Sequence, residues 1–388
     1  MRFETLAVHA GGEADRETGA VAPPIHLSTT FLHGPESEAL HGRLYQREGN
    51  PTQDRLEAAL AALDGGGPSS RALAFASGMA AASTLLQSLP AGACVLFHQD
   101  IYSGVRQLAL EFLPRWGMEP RFANLADPDA VAAALGRSSA KPALVWAETP
   151  TNPQLEILDL ARLAAAAHAA GARLLVDGTF ATPALQRPLA LGADLVLHST
   201  TKYLGGHSDV LGGALIFAGA GDGELLERVA KARRRLGGTA SPFNSWLVLR
   251  GLRSLSCRME RHSANALWLA ERLLGHPALL KVHYPGLPTH FGHEVASRQM
   301  TAYGGMLALR VAGGRAAAVA VASRLELFTN ATSLGGPESL VEHRASSDGP
   351  GSTTPDDLLR LSIGLEHPDD LLADLLQALA GSAAGAPG

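Results

Sequence analysis

The sequence predicts an α/β fold, a mostly parallel sheet covered by helices on both faces, followed by a smaller α+β region. Two observations carry this. Apolar runs of strand length recur at Leu73–Ala76, Cys94–Phe97, Ala143–Ala147, Leu174–Val176, Leu195–His198 and Ala214–Phe217, and helical patterns separate several of them. Runs without polar alternation are what strands buried on both faces show. The chain also has 388 residues, 46% hydrophobic and 18% charged, which suits two or three packed domains at about 100–200 residues each.

The elements follow in order. The first ~45 residues lack helical periodicity, and Val21-Ala-Pro-Pro-Ile25 and His33-Gly-Pro-Glu36 read as an extended arm over residues 1–50. A helix is expected from Pro51, with Thr52 as its N-cap and Leu56, Ala59, Leu60 and Leu63 on one face; Gly65 to Ser70 closes it as a loop. The clearest helix between strands is Asp159 to Ala170, capped by Asp159 and stopped by Gly171. This α/β region spans 51–245.

Residues 246–380 read as the α+β region. A long helix is expected from Asn244 to Leu274, ended by Gly275. Short strands near Leu307–Val311 and Leu359–Gly364 flank a helix at Arg315–Leu325. The last helix, Pro368 to Ala380, turns Leu371, Leu372, Leu375, Leu376 and Leu379 inward, and 381–388 read as a disordered tail.

Charge and composition exclude several classes. A net charge of −5 and a pI near 6.3 argue against a nucleic-acid binder. Cys94 and Cys257 offer no disulfide framework, and Cys94 reads as inert core. No run approaches the ~18 apolar residues of a membrane span. Met1 to Asp15 has no apolar leader core, so the expectation is a cytoplasmic protein without nucleic-acid or membrane partners. The histidines form no metal-spacing cluster, so no metal is expected. Arg233–Arg235 reads as a solvated helix face and His207 as structural.

Three segments can carry chemistry. Ala76-Ser-Gly-Met79 follows a strand and opens a helix, where backbone amides can hold a phosphate; a plain strand–helix turn of small residues is the bland alternative. Asp177 sits at the C-terminal end of a buried strand, the end where ligands bind in parallel sheets, and could equally be a helix cap. Lys202 follows another strand, beside hydroxyls, and is either a surface charge or an amine held to form a Schiff base. A carboxylate for a ring nitrogen, a lysine for an aldehyde and a helix start for a phosphate together describe a pyridoxal phosphate site.

On these and further segments the chain resembles the Cys/Met-metabolism PLP-dependent family, the trans-sulfuration enzymes. The segments run in family order from Thr5-Leu-Ala-Val-His-Ala-Gly11 to Arg360-Leu-Ser-Ile-Gly364. Between them lie Tyr45-Gln-Arg-Glu-Gly-Asn-Pro-Thr52, Glu148-Thr-Pro-Thr-Asn-Pro153 and Ser333-Leu-Gly-Gly-Pro-Glu-Ser-Leu340. The strongest is His198-Ser-Thr-Thr-Lys-Tyr-Leu-Gly-Gly-His-Ser-Asp209, close to the family signature around its lysine. The resemblance implies PLP-dependent transferase fold type I, the aspartate aminotransferase-like arrangement, and a homotetramer built from two dimers. It implies that Lys202 links the cofactor and moves protons, that Asp177 pairs with the ring nitrogen, and that Tyr102 stacks on the ring and serves the leaving group. Ser77, Gly78, Met79, Thr179, Ser199 and Thr201 would complete the cofactor site, with Tyr45 and Arg47 supplied by the neighbouring subunit. Arg360 would clamp the α-carboxylate of a small amino-acid substrate, helped by Asn152 and Ser333.

The implied reaction is γ-replacement or γ-elimination on homoserine- or homocysteine-derived amino acids, of the cystathionine γ-synthase or γ-lyase type. Methionine γ-lyase and cystathionine β-lyase are the alternatives within the family, and a non-catalytic PLP-binding scaffold is the alternative outside catalysis. Three positions depart from common family patterns. Gly178 stands where Asn is usual, Gly104 where methionine γ-lyases carry Cys, and Thr332 where Glu commonly precedes the Ser-Leu-Gly-Gly segment.

Overall fold

A computed structural model of the chain describes residues 1–136, 141–219, 223–348 and 354–383. The first sheet has seven strands, β1 (Arg71–Phe75), β2 (Cys94–His98), β3 (Glu119–Ala123), β4 (Pro142–Glu148), β5 (Arg173–Asp177), β6 (Leu195–His198) and β7 (Gly213–Phe217), in spatial order β1-β7-β6-β5-β4-β2-β3. The pairs from β6 through β3 are parallel, and β7 runs antiparallel to both of its neighbours. All six apolar runs are strands of this sheet.

Side chains along each strand alternate between two cores. Leu96, Val145, Ala147, Leu174, Val176, Val196 and Ile216 belong to one, and Val95, Phe97, Leu144, Trp146, Leu175, Leu195 and Phe217 to the other. Burial on both faces explains the unbroken apolar runs. The edge strand β3 was not legible, because its sequence Glu-Pro-Arg-Phe-Ala is half polar and half exposed.

The second sheet has five strands, β8 (Leu279–His283), β9 (Met306–Val311), β10 (Thr329–Asn330), β11 (Leu340–His343) and β12 (Leu358–Ser362), in order β10-β11-β12-β9-β8. Strands β9 and β12 match the two expected. The others escaped because β8 and β10 are exposed along part or all of their length and β11 is four residues long with a glutamate inside. Helices Gly314–Arg324 and Pro368–Ala383 cover this sheet, and a third core forms between them around Leu307, Leu309, Val341, Leu361 and Leu375.

Several expectations need correcting. The start of the chain is not wholly irregular, since Phe3–His9 is a helix packed against Pro51–Leu63 and Leu255–Leu273. Residues 10–50 carry only isolated bridges, such as Thr30 with Tyr45. The helix from Pro51 is capped by Asn50, whose side chain accepts the Thr52 N–H at 2.9 Å, and not by Thr52. The long helix is two, Pro242–Leu252 and Leu255–Leu273. It breaks because the Gly251 carbonyl accepts instead from Arg258 Nη2 at 2.7 Å and Ser254 Oγ at 3.2 Å. Gly251 also presses on the backbone of Gly205, where a Cβ would come within 2.3 Å of the carbonyl oxygen. Arg233 is not solvated: it is buried, pairs with Glu57, donates to the Ala74 carbonyl at 2.8 Å and lies over the Phe75 ring. Residues 381–383 continue the last helix, and 384–388 lie outside the described residues.

Candidate functional site

Parallel strands leave their carboxyl ends on one rim, and there the loops after β1, β4, β5 and β6 meet residues of the second sheet around a cleft. Of the residues expected to act, Ser77, Gly78, Met79, Tyr102, Asn152, Asp177, Thr179, Ser199, Thr201, Lys202, Ser333 and Arg360 line this cleft. Tyr45 and Arg47 do not. They sit in the arm, where Arg47 lies over the Tyr45 ring and donates to the Arg234 carbonyl at 2.8 Å.

Lys202 sits in the turn after β6. Its own N–H bonds the Ser199 carbonyl at 3.1 Å, and Thr201 is tied to Gly212 in both directions through Oγ1, at 3.0 and 3.1 Å. Its Nζ donates to Ser333 Oγ at 2.7 Å. Burial first, then the nearby guanidinia of Arg360 and Arg344, pull the Lys202 ammonium down to about 8, against an opposing pull from Glu342. Lys141, Lys231 and Lys281 are exposed, so Lys202 is the one lysine of the chain drawn out of water.

Asp177 closes β5 and is buried. It accepts the Thr179 N–H at 3.0 Å, and among the described residues it makes no ion pair. Thr179 Oγ1 in turn accepts the Ser199 N–H at 2.9 Å and holds the β5 and β6 loops together. Ser77 caps helix Gly78–Gln87 by accepting the Ala80 N–H at 3.0 Å, so the Gly78 and Met79 amides of the first turn have no acceptor inside the helix. Gly78 passes close to Ser199, whose Cβ would be 3.1 Å from any Cβ placed at residue 78.

Arg360, on β12, donates through Nη1 to Asn152 Oδ1 at 3.1 Å and through Nη2 to the Ser333 carbonyl at 3.0 Å, and pairs with Glu342. Burial draws its guanidinium down to about 10. Sequence reasoning missed three site residues. Glu342 on β11 is shared between Arg360 and Arg344; Arg344 also pairs with Asp348 and reaches Ser103 Oγ at 3.3 Å, beside Tyr102. Glu148 accepts the Tyr102 N–H at 2.8 Å and lies opposite Asp177 in the β4–β5 register. Burial, then the neighbouring Asp177, push its carboxyl well above the usual range. Glu148 had a signal, a charge closing an apolar strand; Glu342 and Arg344 lie at a strand too short to read.

Comparison with known proteins shows the family. A family model described as Cys/Met metabolism PLP-dependent enzyme matches residues 4–380. The chain is 47% identical over 381 residues to a cystathionine gamma-synthase of Mycobacterium tuberculosis, covering 97% of this chain and 96% of the relative. It is 41% identical over 387 residues to a cystathionine gamma-lyase of Dictyostelium discoideum, covering 97% of each. It superposes with a TM-score of 0.93, at 42% identity and over 100% of each chain, on a cystathionine gamma synthase from Xanthomonas oryzae pv. oryzae in complex with cystathionine.

The depressed lysine is directly measurable. In protein stripped of cofactor, the rate at which an amine-reactive reagent labels Lys202, followed by peptide mass spectrometry, should rise with pH around a midpoint near 8. Arg360→Gln removes a neighbouring positive charge and should move the midpoint upward. A midpoint near the ordinary 10.5 would contradict the burial that the site depends on.

Proposed function

The chain belongs to the Cys/Met metabolism PLP-dependent enzymes, and on that premise we propose that it catalyses γ-replacement, joining an acylated homoserine and cysteine into cystathionine, and γ-elimination when no thiol is offered. One observation carries this reading. Lys202 Nζ and the Arg360 guanidinium both bond to Ser333, at its Oγ and its carbonyl, at 2.7 and 3.0 Å. An amino acid whose α-carboxylate rests on Arg360 therefore carries its Cα next to the amine that must take its proton.

The residues fit the cofactor. Asp177 is a buried carboxylate awaiting a cation, Lys202 an amine near neutrality, and the first-turn amides of Gly78 and Met79 with Ser199 and Thr201 suit a phosphate. Bound there, pyridoxal phosphate supplies an aldehyde that links to amines and a ring that takes up the electrons released at Cα. Asp177 holds a proton on the ring nitrogen. Lys202 Nζ takes the Cα proton and returns it along the substrate, and Tyr102, over the cleft, passes a proton to the group leaving Cγ. Arg360 and Asn152 fix the carboxylate. Gly104, against whose position the Tyr102 ring rests, stands where methionine γ-lyases carry Cys, which weighs against that reading.

The same reading assigns residues 51–245 to the cofactor-binding domain and 246–380 to the C-terminal domain, with the enzyme working in the cytoplasm as a homotetramer of dimers that share their sites. The arm exposes Val21, Leu27, Leu32, Leu40 and Tyr45, with Leu32 76% accessible, an apolar surface suited to a second copy. Tyr45 and Arg47 would reach the neighbouring phosphate site from there. Among the described residues no helix is long and apolar enough to cross a membrane.

Product analysis tests the chemistry. Offered acylated homoserine with cysteine, the holoenzyme should form cystathionine; offered acylated homoserine alone, it should release a 2-oxo acid and ammonia. Formation of pyruvate, ammonia and homocysteine from cystathionine, with no cystathionine and no 2-oxo acid formed from acylated homoserine, would replace this reading with a β-lyase.

Subunit mixing tests the shared site. Arg47→Ala and Lys202→Ala should each be inactive, and after exchange up to about a quarter of the sites should be intact if pairing is random. No recovered activity despite proven exchange would place Arg47 outside the site.

A further inference from the structure

His198 ends β6, four residues before Lys202, and none of the roles above uses it. It is fully buried, and its Nε2 donates to both carboxylate oxygens of Asp64, at 3.1 and 3.2 Å. Asp64 closes helix Pro51–Leu63 and is itself fully buried. Nδ1 is also buried, and the Gly178 backbone beside it favours a proton on the ring. The ring edge lies against the backbone beside Asp177: a Cβ on Gly178 would stand 2.9 Å from His198 Cε1 and 3.5 Å from Nδ1. The Gly178 N–H is held by the Leu197 carbonyl at 3.0 Å, so that backbone cannot simply move away.

Among the described residues two charged groups face this imidazole, and both are negative: Asp64 from the end of the helix and Asp177 from β5. Burial disfavours a charged imidazole, but the two carboxylates outweigh it and raise its proton affinity. Burial pushes the Asp177 carboxyl up and the facing charged imidazole opposes it, so a neutral ring would let that carboxyl move further toward its protonated form. Asp177, without an ion pair, is the one exposed to that change.

We propose that His198 is held as an imidazolium by Asp64 and keeps Asp177 ionised, so that it is a positioning and charge-balancing residue for the carboxylate that meets the cofactor's ring nitrogen. Gly178 is then the clearance this ring needs. The proposal rests on the cofactor reading above.

The test is equilibrium binding to the cofactor-free protein of pyridoxal phosphate and of its analogue with C–H in place of the ring nitrogen. His198→Gln keeps a donor toward Asp64 without the charge. It should weaken pyridoxal phosphate about tenfold, the worth of one pKa unit of differential interaction, and leave the analogue within about twofold. Asp64→Asn, which preserves volume, should show the same selective loss and serves if His198→Gln does not fold. Equal losses for both ligands, or no loss for either, would overturn the proposal. Equal affinity of the unaltered protein for the two ligands would instead overturn the pairing of Asp177 with the ring nitrogen, and the proposal with it.

Discussion

A lysine amine withdrawn from water is costly unless its surroundings compensate, and most of this site is arranged around that cost. Lys202 leaves the last parallel strand of the first sheet and meets Ser333, in the loop between β10 and β11 of the second. Ser333 adopts a positive φ of 95°, a conformation that side chains rarely take without support. The support comes from both sides, with Arg360 bonding the Ser333 carbonyl and Gly335 donating to Ser362 Oγ at 2.9 Å. Two hydrogen bonds to one residue, Ser333, thus join Lys202, Arg360 and the two sheets.

The charges around it nearly cancel. Arg360 and Arg344 face Glu342 and Asp348, while Asp177 and Glu148 sit side by side at the ends of β5 and β4. Paired arginines fix the direction of a fork, and adjacent carboxylates press each other toward the neutral form. The result is a cleft whose lysine gives up its proton more readily than an exposed one and whose Asp177 has room for a cation. An α-amino acid with a carboxylate at one end meets complementary groups there, which is why the geometry favours chemistry at Cα and beyond.

Much of this was legible in the sequence. Strands buried on both faces announce themselves as unbroken apolar runs, and all six such runs lie in the first sheet. The cleft gathers every expected side chain of the chain's own site because strand-end residues of a parallel sheet share one rim. What stayed hidden depends on distance in sequence. Arg233 looked solvated because its partner Glu57 lies far back in the chain. Glu342 and Arg344 acquire meaning only through Arg360, across a strand pairing the sequence does not display. The break at residues 253–254 follows from side chains that take over the Gly251 carbonyl, which no helical periodicity reports.

The geometry of the cleft points to Lys202 as the amine that holds the cofactor. Reducing the holoprotein with borohydride fixes that link, and digestion followed by mass spectrometry locates it. The phosphopyridoxyl mass is expected on the peptide containing Lys202, with the exposed Lys141, Lys231 and Lys281 unmodified. A label on any of those three, with Lys202 free, would contradict it.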